Sequence, residues 1–345
     1  MGTSSVFSPV NESPDLSALQ RLREVGSQIQ AECAKVIVGQ RDVLELLLIA
    51  LFARGHCLLV GVPGLAKTLM IRSLAETMAL DFNRVQFTPD LMPADITGTQ
   101  ILQVDPVNGR RDFVFNRGPL FTNVLLADEI NRTPPKTQAA LLEAMQEVQV
   151  TVVGTRHTLP KPFFVLATQN PIEQEGTYPL PEAQQDRFMF HIQIGYPSEE
   201  DEYRILETTT ATTRQPIQTV VSGDELLELQ QVVRRIPVAP FILRYATQLT
   251  RMTRVDTPGI PEFVKKYVTW GAGPRAGQFL VWGAQARAAL AGRMHVAIED
   301  IHAVAVPVLR HRVITNYRAE SEGIKPDQLV RMLIEQMPEA RMDRE

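Results

Sequence analysis

Two cysteines in 345 residues, Cys33 and Cys57, both among apolar neighbours and without ligand-like spacing, leave no disulfide framework and suggest a reducing compartment. The six histidines (His56, His157, His191, His295, His302 and His311) include no HExxH pair and no paired-cysteine company, so nothing points to a histidine metal centre. An excess of positive charge is missing too. With 35 Lys and Arg against 39 Asp and Glu, the formal net charge is −4, and any contact with nucleic acid would need a local patch. Long apolar runs are absent: the longest, Val43 to Ala53, contains Glu45 and is too short to span a bilayer. Met1 to Pro14 is rich in Ser and Pro and lacks the basic and apolar regions of a signal peptide, so residues 1–15 are expected to be a flexible tail and the protein cytoplasmic.

What is present is an ordinary globular composition, 44% hydrophobic and 21% charged, with enough chain for two domains. Its organising stretch is Gly61-Val62-Pro63-Gly64-Leu65-Ala66-Lys67-Thr68. This follows the apolar run Cys57 to Val60, expected to be a buried strand, and leads into Leu69 to Ala75, which has helical spacing. A strand, glycine loop and helix in that order bind anions, because the loop exposes backbone N–H groups and the helix dipole points at the same place. Lys67 would reach the β- and γ-phosphates of a triphosphate, and the Thr68 hydroxyl would ligate Mg²⁺. Ala66 stands where the phosphate-loop template has its second glycine, which is tolerable if φ there is negative. The alternative is a tight turn between an unrelated strand and helix.

Along the chain, Leu16 to Lys35 and the stretch up to about Ala53 have helical spacing. The turn between them, Val36-Ile37-Val38-Gly39-Gln40, reads either as a purine pocket or as core packing. Arg84 to Phe87 is expected to be a second strand, and Pro89 to Gly98 is expected to break regular structure. Thr99 to Val104 and Arg111 to Phe115 read as a hairpin turning near Asn108-Gly109. Val124 to Glu129 is a continuous apolar strand ending in two carboxylates, and a strand buried on both faces implies a parallel sheet whose C-terminal edge holds ligands. There Asp128 would hold Mg²⁺ through water and Glu129 would orient and deprotonate the attacking water, unless the pair is merely solvated or caps the next helix.

A helix over Pro135 to Glu147 precedes a second hairpin, Gln149 to Val153 with Arg156 to Leu159, whose tip is expected to carry Arg156 and His157. The buried strand Phe163 to Thr168 delivers Gln169-Asn170-Pro171. Asn170 could hydrogen-bond the γ-phosphate and the water, or serve as a turn residue before proline. A short helix over Glu182 to Phe188 leads to a last strand, Met189 to Ile194. Beyond Pro197 only helical periodicity is read, at Glu199 to Thr209, Asp224 to Arg235, Pro240 to Arg254, Pro261 to Trp270, Arg275 to Ala291 and Ile298 to Leu309. The composition shift sets the expected boundary near Tyr196 to Ser198.

In this register the chain resembles the AAA+ ATPases and, within them, the MoxR family. Gly61 to Thr68 is similar to that family's Walker A loop, alanine included, and Leu125 to Arg132 to its Walker B segment. Ala167 to Pro171 is similar to the sensor 1 strand end, Gln185 to Phe188 to the stretch carrying the arginine finger, and Gly271 to Ala276 to the sensor 2 segment, although the family often has Ser at the Gly273 position. The two hairpins resemble the helix-2 insert and pre-sensor-1 hairpin of the same clade.

The resemblance implies an α/β fold, a phosphate-loop core at 16–197 with a parallel sheet and inserted hairpins, followed by an all-α lid at 198–345. It implies ATP and Mg²⁺ as ligands. Gly61, Val62, Pro63, Gly64, Leu65, Ala66, Lys67, Thr68, Leu69, Val38 and Gly39 would hold the nucleotide, and Thr68 and Asp128 the metal. Glu129, Asn170, Arg187 and Arg275 would act in catalysis, Arg187 towards the neighbouring subunit and Arg275 on the γ-phosphate as the lid closes. A surface ion pair of Arg187 with Asp186 or Glu182 is the competing reading.

The same resemblance implies a hexameric ring that remodels, matures or activates protein clients, including by metal or cofactor insertion, often with a partner bearing a von Willebrand factor A domain. A nucleic-acid motor of the same clade is the alternative. It is disfavoured because only Arg156, His157 and Lys161 are basic around the second hairpin, too few for a loop that tracks phosphates. A nucleotide-dependent scaffold that never turns ATP over is a further alternative, against which stand Glu129 and Arg187.

Overall fold

The structure is a computed structural model that describes residues 16–104, 111–172, 176–210 and 215–337. The expected tail at 1–15, the Asn108-Gly109 turn and residues 211–213 of the threonine-rich stretch lie outside the described residues.

Helices α1 (Leu16–Cys33) and α2 (Arg41–Phe52) precede strand β1 (Cys57–Val60), and α3 (Lys67–Thr77) follows it. Next come β2 (Phe82–Gln86), α4 (Pro93–Thr97), β3 (Gly98–Val104), β4 (Arg111–Arg117) and β5 (Val124–Asp128). After a 3₁₀ turn at Ile130–Arg132, α5 (Pro135–Glu147), β6 (Gln149–Val152), β7 (Thr155–Thr158), β8 (Phe164–Gln169), α6 (Glu182–Gln185) and β9 (Phe190–Gln193) complete the α/β region. Five strands make one parallel sheet in the order β2-β5-β8-β1-β9. The apolar runs in β1, β5 and β8 exist because both faces are covered. Val124, Leu126, Phe164, Leu166 and Leu59 join one core with α1 to α3, whereas Leu125, Ala127, Val165, Ala167 and Leu58 join a second core with Ile96 of α4 and Leu141 and Leu142 of α5.

Two local expectations are corrected. The stretch Pro89 to Gly98 contains α4, because Pro93 occupies the first helical position, where a missing N–H costs nothing, and Asp95 accepts the Met92 N–H at 2.8 Å. The second hairpin turns at Val153-Gly154, so Arg156 and His157 are not its tip. They lie in the ladder opposite Thr151 and Val150, and His157 stacks on Phe115 of β4 at 3.9 Å between ring centroids. That stack joins the two hairpins, β3–β4 and β6–β7, side by side.

The C-terminal region is helical: α7 (Glu199–Thr210), α8 (Gly223–Arg235), α9 (Pro240–Met252), α10 (Glu262–Tyr267), α11 (Pro274–Leu290), α12 (Ile298–Leu309), α13 (Tyr317–Ser321) and α14 (Pro326–Gln336). Among the described residues strand character returns once, where β10 (Val268–Trp270) pairs antiparallel with β11 (Ile314–Thr315), so the helix expected to run to Trp270 ends at Tyr267. Val268-Thr269-Trp270 has strand propensity, and its partner lies some forty residues on, which local spacing does not reveal. Helix α11 is buried on several sides because it is rich in Ala and Gly, which let neighbours come close. It packs against α12 and α9, and also against α1, α2 and α8. The N-terminal helices therefore share one apolar core with the C-terminal region.

Candidate nucleotide site

The loop from Gly61 to Ala66 sits at the C-terminal end of β1, in the middle of the sheet, where parallel strands leave a crevice for ligands. A side chain at residue 61 would come within 2.8 Å of the Ile194 carbonyl oxygen, so the β9 strand end admits only glycine there. Gly64 has φ +84° and points its missing side chain into open space. Ala66 also takes a left-handed conformation, φ 53°, where a negative value was expected. The template glycine position keeps its glycine geometry here, and the methyl group is accommodated with strain on the order of 1–2 kcal/mol. Ala66 is the N-cap of α3 and offers no side-chain cap, so the first N–H groups of that helix open onto the cavity.

That cavity, about 450 Å³, is walled by Pro63, Gly64, Leu65, Ala66, Lys67, Thr68 and Leu69 on one side and by Asp128, Glu129, Thr168 and Asn170 on the other. The Lys67 ammonium donates to the Gly61 carbonyl at 2.5 Å and to Val62 at 3.3 Å. Burial draws its pKa below the ordinary lysine value, against the opposing pull of Asp128 and Glu129.

The acid pair is held by residues that the sequence reading passed over. Asp128 Oδ1 accepts from the Thr168 hydroxyl at 2.5 Å, and Oδ2 accepts from Arg84 Nη2 at 2.6 Å. Thr168 also accepts the Glu129 N–H at 2.9 Å, so one hydroxyl sets both acids. Glu129 leaves the strand in a left-handed conformation, φ 57°, which turns its carboxylate towards Gln86 and Arg132; both donate to Oε2, at 2.7 and 2.9 Å. The signal for Arg84 and Gln86 was register. Gln86 lies opposite Asp128 in the β2–β5 pair, and Arg84 two residues earlier shares its face.

Asn170, buried at 7% exposure, is a turn residue that also lines the cavity. Its carbonyl oxygen accepts the Ile172 N–H at 3.1 Å as a turn residue, which leaves its amide N–H₂ as a donor at the cavity wall. Val38 and Gly39 line a separate, wider cavity with Gly195, Tyr196 and Pro197; Gln40 ties its rim to the Gly195 carbonyl at 3.1 Å.

Arg187 and Arg275 do not wall the phosphate cavity. Arg187 precedes β9, which runs parallel to β1, so it lies at the N-terminal edge of the sheet while the loop lies at the C-terminal edge. Four strand residues separate those edges by about 13 Å of strand rise alone. Arg275 donates to Asp186 Oδ2 at 3.0 Å, beside Arg187. The expected approach of Arg275 to its own γ-phosphate is thus not the arrangement in this structure. The surface ion pair considered for Arg187 is not present either: Asp186 is taken by Arg275 and Arg312, and among the described residues no carboxylate pairs with Arg187.

The chain is similar to known proteins over most of its length. Residues 56–190 match the ATPase family associated with various cellular activities (AAA), and residues 262–333 match the AAA lid domain. The chain is 42% identical over 330 residues to the chaperone MoxR1 of Mycobacterium tuberculosis, covering 95% of this chain and 86% of the relative. The chain belongs to the MoxR family of AAA+ ATPases. Protein MoxR of Methylorubrum extorquens is 31% identical, over 94% of this chain and 98% of its own length. A crystal structure from Cytophaga hutchinsonii, provisionally described as an ATPase, superposes with TM-score 0.86 at 42% identity, covering 93% and 97% of the two chains. The MoxR-family fold, an AAA+ domain with a parallel sheet followed by a helical lid, is the architecture described above. Among the described residues no helix is long and apolar enough to cross a membrane.

Proposed function

We propose that this MoxR-family chain hydrolyses ATP with Mg²⁺ in a ring, hexameric by resemblance, to remodel or mature protein clients in the cytoplasm. In this reading residues 16–197 form the nucleotide core and 198–345 the lid. The observation that carries it is the convergence of Lys67, Thr68, Asp128, Glu129 and Asn170 on one cavity at the C-terminal ends of β1, β5 and β8.

The chemistry follows from the donors. The open N–H groups at the start of α3 and the Lys67 ammonium, once lifted from the Gly61 carbonyl, would hold the β- and γ-phosphates. The base and ribose would lie in the cavity of Val38, Gly39 and Tyr196. Thr68 and Asp128 offer hard oxygen donors for Mg²⁺, and Arg84, which now pairs with Asp128, would give way to the ion. When bound, Mg²⁺ neutralises phosphate charge. Glu129 would orient and deprotonate the water, with Asn170 Nδ2 as a donor beside it.

Arg187, too far from its own phosphates, would reach the γ-phosphate of the next subunit, and Arg275 shares that edge of the molecule through Asp186. The stacking of His157 on Phe115 takes one of the three basic side chains near the second hairpin out of play, which favours a protein client over a nucleic-acid track. A von Willebrand factor A domain partner remains part of the proposal by resemblance alone.

The test is a pair of variants. Glu129→Gln should bind ATP, not cleave it, and retain clients and any partner in a pulldown under ATP; Lys67→Ala should lose ATP binding itself. Equal ATP affinity for Lys67→Ala and the unsubstituted protein would sink the assignment of the loop.

A further inference from the structure

Arg312 lies in the lid just beyond α12 and is buried at 5% exposure. Its guanidinium spends its donors on the chain around Arg187. Nε donates to Asp186 Oδ1 at 2.7 Å, and Nη2 donates to the carbonyl oxygens of Asp186 and Phe188, each at 2.7 Å. Nη1 ties the same group back to the end of α12 through the Val308 carbonyl at 2.5 Å. The adjacent His311 also reaches the Phe188 carbonyl, at 3.2 Å, and Phe188 itself is fully buried. From the other side, Arg275 at the start of α11 takes the second oxygen of Asp186. The carbonyls on both sides of Arg187 are therefore gripped by the lid, while its own side chain has no ion-pair partner among the described residues.

A buried ion pair is weak support for stability, because the desolvation it costs is comparable to what it returns. What the planar fork of an arginine does supply is geometry: three bonds to one short segment fix its position more tightly than a lysine could. Burial lowers the Arg312 pKa to about 10, opposed by Asp186, so the group stays charged at neutral pH.

We propose that Arg312 and Asp186 form a clamp through which the lid sets the position of Arg187, making Arg312 a positioning residue for hydrolysis in the neighbouring subunit. This rests on the reading of Arg187 as a group that acts in trans. Movement of the lid, through α12 by Arg312 and through α11 by Arg275, would then advance or withdraw the guanidinium without any contact between lid and phosphate.

The test uses mixed rings of full-length chains. Subunits carrying Lys67→Ala have a dead pocket and an intact Arg187; subunits carrying Arg187→Ala have an intact pocket. Mixing them should restore ATPase activity, each live pocket facing a live arginine. Adding Arg312→Lys, or separately Asp186→Asn, to the Lys67→Ala subunit should lower the rate of the mixture at least tenfold. KM for ATP should be unchanged, and ring size by light scattering should stay the same. Adding the same substitutions to the Arg187→Ala subunit should change the rate less than twofold, since that subunit has no arginine left to position. A silent control mixture would overturn the action of Arg187 in trans, and the clamp's role with it. A live control with equal losses in both placements, or with none in either, would overturn the clamp alone.

Discussion

Gln86 holds Glu129: its side-chain amide donates to the carboxylate Oε2 at 2.7 Å, while Arg132 occupies the same oxygen at 2.9 Å. The carboxylate proposed to activate water is thus turned towards β2 and the 3₁₀ turn, and in that proposal it must be released for hydrolysis. Gln86→Ala should raise basal ATP turnover several-fold and leave ATP affinity within about twofold, since only one neutral-donor bond to a carboxylate, worth about 1.5–3 kcal/mol, is removed. Steady-state ATPase assays with a titration of ATP analogue binding check this. A fall in turnover would show that Gln86 supports the reactive position of Glu129 instead of withholding it.

Ala66 at φ 53° is strained where a glycine is not. Ala66→Gly should raise stability by about 1 kcal/mol, the left-handed penalty of alanine less the extra chain entropy of glycine. Denaturant unfolding with an unchanged m-value measures it. A loss of stability would mean that the alanine methyl makes packing contacts that outweigh the backbone strain.

Two buried histidines, His56 and His311, and the half-buried His191 make the fold sensitive to mild acid. Burial lowers the pKa of His56 and of His191 to about 4 each, and that of His311 well below the ordinary value. His56 is fixed as the neutral ring, accepting the Val165 N–H at 3.0 Å and facing the Met145 carbonyl at 3.2 Å. His191 and His311 face each other at 5.7 Å, with Arg310 and Arg312 adding repulsion against a proton. In the unfolded chain all three titrate near 6.5, so below that pH the unfolded state binds more protons and stability falls as pH falls towards 4. The slope attributable to the three rings approaches roughly 4 kcal/mol per pH unit, three times the single-site value. Urea unfolding from pH 7.5 to 4.5 should show it, and His56→Gln should reduce the slope by about a third. A flat profile would contradict neutral burial.

Arg187 lies at the sheet edge opposite its own phosphate loop, so the proposed action on the next subunit predicts that turnover depends on assembly. ATPase rate per subunit should fall on dilution as rings dissociate. Arg187→Ala should lower turnover by on the order of 10³ while nucleotide affinity stays nearly intact. Rates measured against concentration, with oligomer size followed by light scattering, decide the matter; an active dilute monomer would end the proposal.

What was legible in the sequence was whatever had a local cause. The runs Cys57–Val60, Val124–Asp128 and Phe164–Gln169 are continuous because both faces of those strands are covered, and their ends point to Asp128, Glu129 and Asn170 without any knowledge of the third dimension. Pro93 was misread because proline breaks a helix everywhere except at its start. The groups that hold the site were out of reach of spacing. Arg84 and Gln86 act only through the register of β2 on β5, and Asp186 meets Arg312 from 126 residues away. Arg275 was found by resemblance, yet its partner was not, because the packing of lid on core is a property of surfaces rather than of periodicity.

The shared core of α1, α2 and α11 bears on how the chain can be shortened. The stretch 56–190 contains four of the five strands of the main sheet and only the first residue, Phe190, of the fifth, yet by itself it looks like a minimal ATPase unit. Cut there, it would lose most of β9 and bare Met70, Ile71 and Leu74, which belong to the apolar core shared with α1, α2 and α11. A fragment with those bounds should go to inclusion bodies, and only one that keeps Leu16 to Gln336 should give a protein that stays in solution.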